Sequence, residues 1–344
     1  MPVVRVVNPL TRADWDNWIS EAAGATFFHS AAWARVLHST YGLTPHYFTL
    51  QRANRLLALL PVMDVNSALT GRRGVSLPFT DHCEPLGFSE ATSAALIKEA
   101  LHYGRARRWK YLECRGGTPF GEVAPSTTFF GHKLELGRDT GALFNRFESS
   151  VRRAIRKAEK CGVITEIAQT LPAVREYYAL HCTTRRHHGL PPQPFRFFLN
   201  IHRHVMSQNL GMVATARYQG RPIASAIFFD LGTEVLYKFG ASDPDFQEFR
   251  ANNLLMWEVI KSYVGQGKKT LDLGRTSSQG DGLRRYKLGW GAEERTINYY
   301  RYDFQKSDFV TAKDDSVGWY NQLFRVLPVQ FSRAIGALLY KHTA

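Results

Sequence analysis

Lys287 follows a glycine-rich run and is the residue of this chain best placed to do chemistry. Residues Gly274 to Gly282 lead into Leu283, Arg284, Arg285, Tyr286 and Lys287, a glycine-punctuated loop that delivers cations beside the end of a strand. An ammonium there can stabilise a developing oxyanion or hold a phosphate. It can equally be a surface lysine with its stem laid on Trp290. Asp272, between Leu271 and Leu273, is the carboxylate most specifically placed to take a proton from an attacking amine. A strand-end hydrogen bond is its other reading. No GxSxG element is present, and the Ser, His and Asp residues suggest no triad. An acceptor attacking an activated acyl group directly needs no enzyme nucleophile.

A second concentration of charge lies in SSVRRAIRKAEKCG, residues 149–162. On a helix, Arg152, Arg153, Arg156, Lys157 and Lys160 share one side, with Val151, Ile155 and Ala158 opposite. Such a stripe suits a row of phosphates, or is simply a solvated face. The segment HCTTRRHHGLPP, from His181, offers His, Cys and Arg side chains, but the residue four on from His181 is Arg185 and the adjacent His187 and His188 diverge. That spacing argues against a metal site. Arg186 and His188 remain candidates to line a cleft, or to complement a helix C-terminus. Arg250 precedes a helical run and can assist its N-terminus in binding an anion.

The elements that must position these groups follow a mixed pattern. Val3–Val7 reads as a strand, and caps at Thr11 and Asp14 introduce a helix around Trp15 and Trp18. Ala31–Tyr41 reads as a helix, and His46–Gln51 with Leu56–Val65 as a hairpin. A helix over 89–108 and a strand at Tyr111–Cys114 close the first half. In the second half, Phe144–Cys161 and Pro172–His188 read as helices, and Val213–Tyr218 with Ile223–Leu231 as another hairpin. An apolar run at Val235–Phe239, a helix capped at Asn252–Asn253 and a strand at Thr270–Leu273 follow. Two hairpins, each after a helical pair, suggest a weak internal duplication. The expected class is α/β with α+β mixed sheets.

At 344 residues the chain can bury one large core or two ordinary ones. A net charge of +14 favours polyanionic partners such as tRNA, nucleotides, lipid pyrophosphates or anionic headgroups. Cys83, Cys114, Cys161 and Cys182 form no CxxC pair and fit a reducing compartment. The first residues are too polar for a signal peptide, and no run approaches the roughly 18 apolar residues of a spanning helix. The expected location is cytoplasmic, with contact at the inner face of the membrane left open. Beyond Asp314, one apolar stripe runs Trp319, Tyr320, Leu323, Phe324, Leu327. After Pro328 it resumes as Phe331, Ile335, Leu338, Leu339, with Arg325, Arg333 and Lys341 outside. It reads either as terminal helices packed on the second domain or as an interfacial helix on anionic lipid.

The stretch Leu236–Gly291 resembles the C-terminal domain of the FemAB/FemX-like transferases of the GNAT superfamily, including the BioF2-like acetyltransferase domain. Its NNLLMWE helix, LDLGR strand and GLRRYKLGWG end carry the resemblance. The basic segment, the TTRRHHGLPPQP loop, and FFHSAAWARVL, LLPVMDV and SLPFTDHCEPLG extend it across residues 25–305, most closely toward exosortase-associated FemAB-like proteins. The resemblance implies two tandem GNAT-like domains, 1–135 and 136–310, and a C-terminal helical segment, 311–344. It implies transfer of an acyl or aminoacyl group to an amine or hydroxyl of a cell-envelope or exopolysaccharide precursor, free or lipid-linked. The donor would be aminoacyl-tRNA or acyl-CoA, with no further cofactor, no metal and no DNA. By that resemblance Lys287 would stand at the reaction centre, and Asp272 joins it as a catalytic candidate on its own position between Leu271 and Leu273. Arg152, Arg156 and Lys160 would hold phosphates, Arg284, Arg285 and Arg250 would assist with anions, and Arg186 and His188 would line the acceptor side. One departure is Phe249–Asn253, which lacks the glycines of a coenzyme A pyrophosphate loop and weighs against acyl-CoA. The alternatives are an acyl-CoA-dependent N-acetyltransferase and a non-catalytic binder of tRNA or a lipid carrier.

Overall fold

The computed structural model describes residues 2–53, 55–87, 89–311 and 324–343. The chain divides into two compact units. Unit 1 comprises Met1–Phe129, Thr296–Asp315 and Leu339–Ala344, and unit 2 comprises Phe130–Arg295 and Ser316–Leu338. Unit 1 begins with β1 (Val3–Val7), α1 (Trp15–Ser20), α2 (Ala31–Tyr41), β2 (Thr44–Pro45), β3 (Tyr47–Arg52) and β4 (Arg55–Leu60). It continues with β5 (Met63–Ser67), β6 (Gly71–Ser76), α3 (Glu90–Ala106) and β7 (Tyr111–Arg115). Next come β8 (Thr127–Glu135), α4 (Thr140–Arg146), α5 (Ser149–Lys160), β9 (Ile164–Ala168), α6 (Leu171–His187) and α7 (Phe195–His204). Unit 2 then forms β10 (Gly211–Tyr218), β11 (Arg221–Leu231), β12 (Glu234–Ser242), α8 (Ala251–Gly265), β13 (Thr270–Ser277) and α9 (Asp281–Gly289). The chain closes with β14 (Glu293–Asp303), β15 (Asp308–Phe309) and α10 (Val329–Thr343).

In unit 1, β1, β3 and β4 make a small antiparallel sheet. β5 and β6 pair antiparallel, β6 and β7 parallel, and β7 meets the later part of β14 antiparallel. Leu56–Val65, expected as one strand, is two. Pro61 has no N–H to give a ladder, so β4 stays with β3 while β5 turns to β6. Glu113 of β7 is buried between Arg115 and Arg301, its carboxylate 2.8 Å from Arg115 Nε and 2.6 Å from Arg301 Nη2. Burial would raise its pKa, but the two guanidiniums outweigh burial and bring it down to about 2.

In unit 2, β9, β10, β11 and β12 pair antiparallel in sequence order. The middle of β11 is buried along its length because helices cover both faces of this part of the sheet: α8 and α6 both pack on it. The core gathers Val151, Ile155 and Ala158 of α5 with most of α8 and with Trp290. The helix expected over 144–161 is broken into α4 and α5. Phe147 is extended at the break, and its buried ring lies 5.0 Å from Trp290 and 5.5 Å from Trp257. Core filling there outweighs helix continuity. Helix α7 begins just after Pro194, where the sequence reading places no helix. Of the C-terminal stripe, Trp319, Tyr320 and Leu323 lie outside the described residues.

Two buried histidines make the fold acid-sensitive. Burial is the main reason that His29 titrates at about 4 and His181 at about 3, below the usual 6.5. Near pH 6.5 the unfolded chain takes up protons that the folded chain refuses, so stability is complete above that pH and falls below it. At pH 5 the loss should be roughly 2 kcal/mol per histidine. Urea midpoints at pH 7 and pH 5 check this, and His181→Gln should shrink the difference between them.

Candidate active site

The site is built where two parallel strands of unit 2 separate. β12 and β13 pair only through Glu234–Leu236 and Thr270–Asp272, although β12 continues to Ser242 and β13 to Ser277. From β12 the chain passes Asp243 and a tight turn, Pro244–Phe249, into α8. The N-cap of α8 is Arg250, in the left-handed conformation at φ +57°, so Asn252 and Asn253 lie inside the first turn instead of capping it. Among the described residues no side chain caps this end. The Asn253 N–H donates to the Arg250 carbonyl at 2.9 Å, while Ala251 and Asn252, which carry the first N–H groups of this 15-residue helix, line a cavity at its positive end.

Beside this helix end lies a cleft of about 620 Å³. Its walls are Arg153, Ala154 and Lys157 of α5, Arg250 and Asn253 at the start of α8, and Gly282, Arg285, Tyr286 and Gly289 of α9. Among the described residues, Glu148, at the N-cap of α5, is its one carboxylate against four cations. α9 can lie this close to α5 because Gly289 has no side chain: a Cβ there would come 3.0 Å from Val151 Cγ2. A smaller cavity of about 190 Å³ shares Arg250, Asn253 and Tyr286 with the cleft and adds Ser242, Asp243 and Gln247. Burial pushes the Tyr237 hydroxyl up to about 12 and raises Tyr286 further, helped by Tyr237 beside it. Both phenols are therefore protonated at neutral pH. A third hollow, about 510 Å³, is lined by Thr183, Arg186, His187, Pro244 and Arg325.

The expected site residues distribute unevenly over these features. Arg250 and Arg285 line the cleft. From the basic helix it is Arg153 and Lys157, one turn apart, that do so; Arg152, Arg156 and Lys160 occupy the neighbouring ridge. Arg152 donates to the Asn145 carbonyl at 2.9 Å, and Arg156 lies over the Phe144 ring at 5.6 Å. Arg186 borders the third hollow, where its Nε donates to the Arg325 carbonyl at 3.3 Å, while His188 is not part of that lining. Burial, then the charge of His187, lowers the pKa of His188.

Lys287 is 3% exposed and does not line the cleft. Its Nζ donates to the carbonyls of Gly274 and Arg275, each at 2.9 Å. The segment expected as a loop from Gly274 is strand as far as Ser277, and Gly274 itself bends at φ +72°. Asp272, equally buried, accepts from Gly274 N at 2.7 Å and from Arg295 Nη2 at 3.3 Å. Arg284 is paired twice with Glu294 at 2.6 Å and lies 4.2 Å over the Phe130 ring. Glu294 also meets Nε2 of the fully buried His132 at 3.1 Å. The face of α9 bearing Arg284 and Lys287 thus locks the helix to the strands, and the face bearing Arg285 and Tyr286 opens on the cleft.

Residues 145–288 match the family described as an acetyltransferase (GNAT) domain. The chain is similar in fold to a crystal structure of FemX, at 12% identity and a TM-score of 0.68, over 88% of this chain and 98% of that one. It is also similar to L-PGS from Bacillus licheniformis, at 12% identity and a TM-score of 0.55, over 93% and 97% of the two chains. A tandem GNAT protein from the clavulanic acid biosynthesis pathway matches at 10% identity and a TM-score of 0.54, over 88% and 98%. No curated protein matches the sequence. The architecture is therefore the mixed α/β fold of GNAT acyltransferases, as the FemAB/FemX-like motifs implied. Among the described residues no helix is long and apolar enough to cross a membrane.

Proposed function

We propose that unit 2 transfers an acyl or aminoacyl group from a phosphate-bearing donor to an amine or hydroxyl. The observation that carries this is the cationic cleft ending on the uncapped N-terminus of α8. Arg153, Lys157, Arg250 and Arg285 would hold the donor's phosphates, with the first-turn N–H groups of α8. The reactive carbonyl would sit in the smaller cavity beside Tyr286. The acceptor nitrogen or oxygen attacks the carbonyl carbon, the bond to the donor's oxygen or sulfur breaks, and the acceptor's proton leaves to solvent. Tyr286, a phenol and so protonated at neutral pH, donates its proton to the leaving atom and is restored from solvent.

Aminoacyl-tRNA is the favoured donor. The cleft is wide and lined by guanidiniums and an ammonium, and an arginine stands where a tight pyrophosphate loop would need glycine. The likeness in fold to FemX and L-PGS supports the same reading. The acceptor is a cell-envelope or exopolysaccharide precursor, whose phosphates would meet Arg186 and Arg325, with His188 at the margin. Arg152, Arg156 and Lys160 extend the positive field beside the cleft for a long polyanion. The geometry favours Lys287 and Asp272 as positioning residues over a direct role on the reacting atoms: together they fix the bend at Gly274 and so the seat of α9.

Incubation with labelled aminoacyl-tRNA or labelled acetyl-CoA, plus an extract of envelope precursors, tests the reading. Label should pass from aminoacyl-tRNA; label passing only from acetyl-CoA would establish the acyl-CoA alternative, and no transfer from either would sink the proposal. Tyr286→Phe should lower kcat by roughly a hundredfold with little change in KM. An unaltered kcat would reduce Tyr286 to a packing residue.

A further inference from the structure

We propose that α10 docks unit 2 on an anionic lipid surface. The way the helix is seated carries the inference. Its buried residues are Ser332 and Gly336, one turn apart, and Gly336 lies so close to the loop before α7 that a Cβ there would come 2.1 Å from the Pro192 carbonyl oxygen. Arg333 completes the seating, its guanidinium 5.1 Å from the centre of the Tyr178 ring. Its contacts with unit 2 are therefore made by two small residues and by Arg333.

Its large apolar side chains point the other way. Phe331 is 63% exposed and Leu338 67%, and Val326, just before the helix, is 72% exposed. A helix on a water-soluble surface ordinarily turns such residues toward the core. Here Phe331, Ala334 and Leu338, at i, i+3 and i+7, form an outward apolar ridge. Of the apolar stripe read from the sequence, Phe324 is buried and Ile335 half-buried, whereas Phe331 and Leu338 turn outward.

Charge selects the occupant. Residues 324–343 contain Arg325, Arg333 and Lys341 but no Asp or Glu, in a chain of net charge +14. A second copy of this chain would set like charges against each other. A layer of anionic headgroups accepts both the cations and the ridge, which enters the acyl boundary. The docking is independent of the transfer chemistry and can fail without it.

Sedimentation of the full chain with vesicles decides the matter. The chain should pellet with phosphatidylcholine vesicles containing phosphatidylglycerol and remain in solution with phosphatidylcholine alone. Phe331→Ser with Leu338→Ser should lower the partition at least about tenfold without altering the melting temperature, since both side chains are exposed. Lys341→Gln should weaken it and reduce its dependence on salt. Three results would overturn the proposal: a chain that stays in solution with both vesicles, binding that survives the serine pair, or equal pelleting with neutral vesicles. Light scattering adds a fourth, a concentration-dependent dimer that the serine pair abolishes, which would make the ridge a contact between copies.

Discussion

Arg250→Glu should weaken donor binding by at least about a hundredfold, the largest binding effect expected from any single cleft residue. Arg250 stands at the N-terminus of α8 and lines both the cleft and the smaller cavity. The substitution removes a cation from the phosphates and places a carboxylate among the N–H groups meant for them. A glycine variant separates charge from backbone. At φ +57° an arginine is strained by about 1 kcal/mol relative to glycine. Arg250→Gly should therefore raise stability by about that much while weakening binding by roughly tenfold. Loss of one phosphate contact should also reduce the slope of log affinity against log salt by about one for a nucleic acid donor. Equal affinity of the glutamate variant and the wild type at low salt would remove the cleft from donor binding altogether.

Lys287→Met carries the second large effect, and its mechanism is different. The buried ammonium satisfies two carbonyls at the bend of β13, and methionine satisfies neither. Hydrogen bonds from a charged donor contribute about 1.5–3 kcal/mol each, so the variant should lose roughly 3 kcal/mol of stability or more. Turnover should fall by roughly a hundredfold or more because α9, which carries Arg285 and Tyr286, loses its seat. Donor affinity should change only a few-fold, since Lys287 does not line the cleft. A collapse of kcat with no loss of stability would instead restore a direct role for the ammonium on the oxyanion. Urea denaturation and single-turnover kinetics on the same preparation distinguish the two.

The sequence made some of this legible and hid the rest for physical reasons. α2 was readable to the residue because Ser30 caps it and Gly42 ends it in the left-handed conformation. The β10–β11 hairpin is readable because Gln219–Gly220 is a strong turn between two apolar runs. The motifs at Leu236–Gly291 carried the family. The ridge of α5 that reaches the cleft was not separable from its neighbour, because Arg152 and Arg153 are adjacent and only the close packing at Gly289 decides between them. Tyr286 does not stand out in the sequence because residues 281–289 follow a glycine-rich run that reads as loop, although they form a helix. With that helix drawn, Gly282, Arg285, Tyr286 and Gly289 fall on one face, and the spacing marks the cleft. The burial of Lys287 depends on strand β13 running on past Gly274, where a glycine suggested a loop.

The most direct test of a phosphate-binding cleft in unit 2 is a crystal structure of the chain with a bound donor, tried both as coenzyme A and as a short RNA bearing a stable 3′-aminoacyl amide. At least one should place a phosphate within hydrogen-bonding distance of the first-turn N–H groups of α8, with Arg250 and Arg285 around it. Phosphates bound elsewhere, for instance only beside Arg186 and Arg325, with the cleft left empty, would contradict the account.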